Sequence, residues 1–333
     1  MTGSSTNGSP WRLLALAPLG EDLIRKLFEP LGADVLLPAV RDRDGLHAAL
    51  ADADLVLGDF TGTLAMDAAA VAAAPGLAFL QMPSVGVDSC DLGALAAAGV
   101  PVANTAGANA RSVAEWALAA AFDLSRRLSW ADRRMRQGGW PQLEVAAQGA
   151  DELSGRRVGV LGMGAIGTEV ARLFEAIGCP VSYWSRTRRP SGTYKEVAEL
   201  LATSDVVVVC LPLTNETRGL LDAERLALLP DGAFLVNVAR GDIAPDAAVL
   251  AALESGRLAG AALDVYDEEP LPDDHALRSH ENVLLSPHCA GATRRAQLNV
   301  ITKVLENMKA VTEGRPVADV VNGADPLVRR RRP

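Results

Sequence analysis

Short apolar runs and stripes at helical spacing alternate along almost the whole chain. In the first third, residues 12–17, 34–37, 55–58, 78–82 and 100–103 read as short buried strands. Helical segments near 20–29, 44–51, 65–73 and 91–98 separate them. A long helix is expected over 110–127. The stretch 128–152 contains Gly138, Gly139, Trp140 and Pro141, shows no sustained period, and reads as irregular. A second series follows, with strands near 157–161, 180–184, 205–210, 233–237, 259–264 and 283–286. A last helix over 293–313 carries Val300, Val304, Leu305 and Met308 on one face. No repeat at solenoid period is present. Strand alternating with helix predicts an α/β protein with parallel sheets.

The second series opens on a distinctive turn. The strand at 157–161 closes on Gly162-Met163-Gly164-Ala165-Ile166-Gly167, a G-x-G-x-x-G spacing. Gly162 permits the tight turn, Gly164 lets a backbone approach a pyrophosphate, and Gly167 lets the next helix pack close to the sheet. The helix start offers unpaired N–H groups and a positive dipole end to phosphates. Ile166, Val170, Leu173, Phe174 and Ile177 then form one apolar face, Gly178 closes the helix, and Val181 to Trp184 supplies the next strand. This is the βαβ context that the motif requires. A site for NAD usually places an acid about 20 residues on, at the ribose 2′-hydroxyl. Here residues 183–189 contain no acid and three arginines, with Ser185, Arg186 and Thr187 just past the strand. A guanidinium suits a phosphate dianion. NADP is therefore the expected cofactor and NAD the weaker alternative, a solvated basic turn tolerating both.

The chain has 333 residues, more than one compact core usually holds, so two domains are expected. The dinucleotide domain, 108–292, would be inserted into a second domain formed by 1–107 plus 293–333. The fold class is α/β, with a Rossmann-type doubly wound parallel sheet set into a smaller α/β substrate domain. Hydrophobic residues make up 49%, and the net charge of −9 argues against a nucleic-acid partner. The terminal run Arg329 to Arg332 reads as a solvated tail, and residues 1–9 as a disordered leader without the features of a signal peptide. No stretch is long and apolar enough to span a membrane. Cys90, Cys179, Cys210 and Cys289 lack metal-ligand or redox spacing, so no metal is expected and a cytoplasmic location is.

Ligands of such sheets bind beyond the carboxyl ends of strands, and pockets favour crevices between domains. Arg240, Asp264, Glu269 and His288 all follow strands in the second series. Carbonyl reduction needs a proton donor, a cation to hold a carboxylate, and a group that favours the protonated donor. Histidine, arginine and a carboxylate meet those needs. Each alone is more often a surface or structural residue; their shared position at strand ends is the signal.

These residues lie in motifs that resemble the D-2-hydroxyacid dehydrogenases, in particular the glyoxylate/hydroxypyruvate reductase-like branch. The matching pieces are the glycine motif, Leu211-Pro212-Leu213-Thr214, Asn237-Val238-Ala239-Arg240-Gly241, Asp264 to Pro270, and Ser286 to Gly291, in the family's order from about 50 to 310. The resemblance implies that Arg240 binds the substrate carboxylate, Glu269 hydrogen-bonds His288, and His288 donates the proton. It places Leu211, Pro212, Val238, Ala239, Asp264 and Gly291 at the cofactor with the glycine motif, and Asn109 near it. It assigns substrate contacts to the amides of Val85 and Gly86, in Pro83 to Asp88 of a flavodoxin-like substrate domain. Cys289 and Asp267 depart mildly from the family pattern. Relatives are usually homodimers through the nucleotide domain, and Trp140 resembles an aromatic that in some relatives reaches the neighbouring subunit; a core or lid tryptophan is the alternative.

The expected activity is NADPH-dependent reduction of a small 2-oxoacid, glyoxylate- or hydroxypyruvate-like, to the (R)-2-hydroxy acid. One alternative is the same chemistry on a phosphonate or specialised biosynthetic 2-oxoacid. A cation near Thr61–Leu64 or Val85 would favour it, and the sequence shows none nearby. The other is a dinucleotide-sensing binding protein of the same fold. Formate-dehydrogenase-like chemistry is disfavoured by Glu269, because those relatives replace the acid that pairs with histidine.

Overall fold

A computed structural model of the protein describes residues 10–331. The leader expected over 1–9 and Arg332 of the basic run lie outside the described residues. The chain forms two compact units: one runs up to Ala108 and resumes at Arg295, and the other is Asn109–Arg294.

The first unit begins with β1 (Trp11–Ala15), α1 (Glu21–Phe28), β2 (Ala33–Leu36) and α2 (Arg43–Leu50). It continues through β3 (Leu55–Leu57), α3 (Ala68–Ala72), β4 (Phe79–Gln81), α4 (Leu92–Ala97) and β5 (Val102–Ala103). Its five strands are parallel in the order β2-β1-β3-β4-β5, the flavodoxin-like arrangement. Asp42, Asp67 and Asp91 cap α2, α3 and α4, each accepting an N–H at 2.8 Å. Such caps satisfy backbone donors that the helix itself leaves open.

The second unit starts with α5 (Ala110–Arg126), whose buried face is mostly alanine: Ala110, Ala114, Ala117, Ala120 and Ala121. Next come α6 (Leu128–Arg136) and α7 (Gln142–Ala147). These two helices correct the expectation that 128–152 is irregular. Their sequence hides them because α6 buries only Trp130 and α7 buries nothing, so no apolar stripe marks either. An Asp132–Arg136 pair at 2.8 Å one turn apart supports α6 locally. Gly138 (φ 86) and Pro141 separate the two.

The sheet follows: β6 (Val158–Leu161), α8 (Ala165–Ala176), β7 (Val181–Trp184), β8 (Thr193–Tyr194), α9 (Val197–Ala202) and β9 (Val206–Val209). Then come α10 (Ala223–Leu226), β10 (Ala233–Asn237), α11 (Asp246–Glu254), β11 (Leu258–Leu263) and β12 (Val283–Leu285). All seven strands are parallel in the order β12-β11-β10-β9-β6-β7-β8. This is a Rossmann sheet with one further strand beyond the six expected. The extra one, β8, is a two-residue edge strand with no apolar run to announce it. In β9 all four valines are fully buried between helices on both faces. The final helix, α12 (Arg294–Thr312), brings Val304, Met308 and Val311 into the first unit's core beside Leu13, Ala15 and Leu55.

No helix among the described residues is long and apolar enough to cross a membrane. Among those residues, no cluster of His, Cys, Asp or Glu could hold a metal ion.

Candidate active site

The strand order reverses at β6, where β7 lies on one side and β9 on the other. The turn leaving β6 is Gly162, at φ +101, where a Cβ would stand 2.7 Å from the Cys210 carbonyl oxygen. Gly167 is equally constrained: a Cβ there would meet the Gly162 carbonyl oxygen at 1.8 Å. Gly164 differs. It heads α8 with no side-chain cap, and a Cβ there would meet nothing within 4 Å. Its openness is therefore not a packing requirement of the protein itself. An exposed helix start flanked by such space fits a dinucleotide pyrophosphate. Met163, Ala165 and Ile166 complete the turn. Leu211 and Pro212 follow β9 across from it, and the Cys210 thiol beside them is pushed by burial up to about 12, so it stays protonated.

Beyond β7, Ser185, Arg186 and Thr187 form a turn in which the Ser185 hydroxyl donates to the Thr187 carbonyl at 2.7 Å. The three arginines here are not equivalent. Arg188 pairs with Glu196 at 3.3 Å and lies 4.1 Å from the centroid of the Tyr194 ring. Arg189 donates to the Met163 carbonyl at 2.9 Å, tying this turn back to the glycine loop. Arg186 is exposed and has no partner among the described residues. That division of labour could not be read from three adjacent basic residues.

Three loops carry the other candidates. Arg240 follows β10, with its guanidinium donating to the Ala239 carbonyl at 2.6 Å and its own carbonyl accepting from Asn237. Val238 and Ala239 are buried, so they offer their backbone only. Glu269 follows β11, and a cis peptide joins it to Pro270. His288 follows β12. His288 Nδ1 lies 2.7 Å from Glu269 Oε2, while Glu269 Oε1 accepts from the Tyr266 N–H at 3.1 Å. Burial pushes the Glu269 carboxyl up. The His288 hydrogen bond and charge, the Tyr266 N–H and the Arg240 charge outweigh it and hold the group below its ordinary value. The imidazole is 47% exposed and its Nε2 has no partner among the described residues.

His288 stands at φ +50, a left-handed conformation that costs a residue with a Cβ roughly 1–2 kcal/mol. Buried Asp264 supplies the compensation. Its Oδ1 accepts from the Ser286 hydroxyl at 2.5 Å and from the Cys289 N–H at 2.8 Å, and its Oδ2 from the Ala290 N–H at 2.8 Å. The Asp264 carboxylate thus shapes the histidine loop. Tyr266 helps from below. Its hydroxyl accepts from the Ser286 N–H and lies 2.8 Å from the Ser286 carbonyl, and burial pushes its phenol up to about 12. Gly291 packs against Asn109, whose Oδ1 is buried without a hydrogen-bond partner among the described residues.

In the first unit, the loop after β4 is pinned by two bonds of 2.7 Å. The Asn104 amide donates to the Val85 carbonyl, and the Ser84 hydroxyl to that of Gly86. One expectation is corrected here. Arg41 does bring a cation beside Thr61, which 19 intervening residues concealed. It donates to Asp59 Oδ2 at 3.1 Å and to the Leu16 carbonyl at 2.8 Å, and Asp59 also accepts the Thr61 N–H.

A family model described as D-isomer specific 2-hydroxyacid dehydrogenase, NAD binding domain, matches residues 118–290. A glyoxylate reductase from Aeropyrum pernix is 34% identical over 305 residues, spanning 89% of this chain and 88% of its own. A glyoxylate/hydroxypyruvate reductase A from Arabidopsis thaliana is 37% identical over 253 residues, 75% of this chain and 80% of its own. The holo form of Rhodotorula graminis D-mandelate dehydrogenase superposes with a TM-score of 0.88 at 25% identity, covering 95% of this chain and 99% of that one. The chain belongs to the D-isomer-specific 2-hydroxyacid dehydrogenase family, and within it resembles the glyoxylate and hydroxypyruvate reductases. It is an oxidoreductase that uses a nicotinamide dinucleotide and converts 2-oxoacids to 2-hydroxy acids.

Proposed function

We propose that the protein reduces a small 2-oxoacid of the glyoxylate or hydroxypyruvate type to the (R)-2-hydroxy acid, with NADPH as the preferred reductant. The observation that carries this reading is the His288 Nδ1–Glu269 Oε2 pair at 2.7 Å, which leaves Nε2 unpartnered on a loop at the carboxyl end of the sheet. Arg240 takes the substrate carboxylate in a forked contact and so orients the ketone. The Val85 and Gly86 amides are further donors to that carboxylate. When bound, the reduced nicotinamide supplies a hydride to C2. The proton on His288 Nε2 moves to the carbonyl oxygen, which completes the alcohol. Glu269 holds the imidazole in the tautomer and orientation that present Nε2.

The preference for NADPH rests on Arg186. It is the one arginine of this turn not already engaged, and no acid stands at the strand end to meet a ribose hydroxyl. Arg41 does not argue for an anionic substrate side chain, because the buried Asp59 carboxylate already neutralises it. We place the enzyme in the cytoplasm on its four free thiols. We further propose a homodimer through the second unit, where Trp140 (76% exposed), Leu143 (85%), Leu128 and Met135 stand uncovered on α6, α7 and the turn between them. Light scattering should give twice the chain mass, and a monomer would overturn that.

The test is initial-rate oxidation of NADPH and NADH with glyoxylate, hydroxypyruvate, pyruvate and phenylpyruvate. Turnover with the small acids, with NADPH favoured, supports the reading. Arg186→Ala should raise the KM for NADPH about tenfold or more and leave that for NADH unchanged. Tight dinucleotide binding without turnover of any 2-oxoacid would point to a sensing protein instead.

A further inference from the structure

Arg240 and Glu269 act as a pair only if the loops after β10 and β11 keep their relative position. Those loops meet without room for a side chain. A Cβ on Gly241 would stand 1.9 Å from the Tyr266 carbonyl carbon and 2.4 Å from the Asp267 nitrogen. Beside this contact lies Asp246, the first residue of α11, only 5% exposed. Its N–H donates to Asp267 Oδ2 at 2.9 Å, and the Asp267 N–H reaches back to Asp246 Oδ2 at 3.4 Å. His275 Nε2 stands 3.6 Å from the same oxygen. Asp246 Oδ1 is buried with no hydrogen-bond partner among the described residues. A buried carboxylate oxygen without a donor is costly, and the Asp246 side chain caps no N–H of α11, so helix capping does not account for this pair of acids.

We propose that Asp267 is a positioning residue for the reduction: its carboxylate holds the N–H at the start of α11, and with Asp246 it forms a reciprocal clasp that keeps the Arg240 loop against the Glu269 loop. The inference rests on the roles given above to Arg240 and Glu269. The 2.9 Å bond carries most of the clasp and the 3.4 Å bond little. Burial, and then the Asp267 charge, push the Asp246 carboxyl up, with Glu269 adding to the push and His275 opposing it. The neutral amide of asparagine keeps an oxygen to accept the Asp267 N–H and removes the repulsion between the two acids, so it is a fair substitute for Asp246. Asp267 touches neither reactant in this scheme. It acts through the loop that bears Arg240.

The experiment compares Asp246→Ala, Asp267→Ala, the double variant and Asp246→Asn, in the full chain, for hydroxypyruvate reduction and for NADPH binding by fluorescence. Asp267→Ala removes the 2.9 Å bond and should lower kcat/KM roughly 10- to 100-fold, because a misplacement near 1 Å can cost that much, whereas Asp246→Ala keeps its main-chain N–H and should stay within about threefold. The loss should fall on kcat and on the KM for the oxoacid, with the NADPH Kd within about twofold of wild type. The double variant should be no worse than Asp267→Ala, because that change alone already opens the clasp. Asp246→Asn should stay within about threefold. Unchanged kcat/KM in a folded Asp267→Ala variant overturns the proposal, and so does a double variant far worse than Asp267→Ala. Should Asp246→Ala fail to fold, Asp267→Ala decides alone, because residue 267 is exposed. An inactive wild type would overturn the functional reading and the clasp with it, whereas an active wild type with indifferent variants overturns only the clasp.

Discussion

His288 shows how much chemistry one backbone conformation can carry. Its left-handed φ turns the ring so that Nδ1 meets Glu269, and Asp264 with Tyr266 hold the loop in that conformation. His288→Gln should lower kcat by about 10²–10⁴-fold, the usual contribution of a general acid, with NADPH affinity unchanged. A kcat within threefold of wild type would remove His288 from the proton path. Glu269 makes a second prediction, on stability. Its folded-state pKa is lowered, so its contribution is fully present above the ordinary value of 4.5 and is lost as pH falls below that value through the folded one. Denaturant midpoints of wild type and Glu269→Gln should therefore differ at pH 7 and converge well below 4.5. A gap that persists in acid would contradict the assignment. At this scale the sequence was most informative where chemistry is local: the glycines, Arg240, Glu269 and His288 stand where strand ends place them. It was silent on Asp264 as a loop clamp, on Arg189 reaching Met163, and on Arg41 meeting Asp59. Those contacts join residues far apart in the chain, and spacing alone does not encode them.

At the scale of elements, the two glycines heading α8 separate packing from ligand binding. Gly167→Ala places a methyl against the Gly162 carbonyl and should cost about 1–3 kcal/mol of stability, as overpacking does. Gly164→Ala meets open space, so its melting temperature should match wild type while NADPH affinity falls about tenfold or more. Equal melting temperatures for both variants would undo the distinction, and so would intact binding in Gly164→Ala. Strands such as the four valines of β9 were legible because burial on both faces demands a continuous apolar run. The helices α6 and α7 were not, because α6 buries only Trp130 and is supported by local charge pairing, and α7 buries nothing. The edge strand β8 was missed for the same reason: it buries little.

At the scale of the whole molecule, the two strand orders define two α/β units, and α12 is the element that returns the chain to the first. The alternation of runs made both sheets legible, but strand order within each was not, since it depends on which crossovers pack best rather than on any one segment. Sheets of this kind serve many chemistries, so the activity rests on the site and not on the fold. The most direct test is to supply NADPH carrying deuterium at the transferable C4 position, with hydroxypyruvate, and to examine the product by NMR and chiral separation. The account predicts one deuterium at C2 of the (R)-2-hydroxy acid and none elsewhere. Product of the opposite hand, or product without deuterium whichever C4 face carries the label, would contradict it.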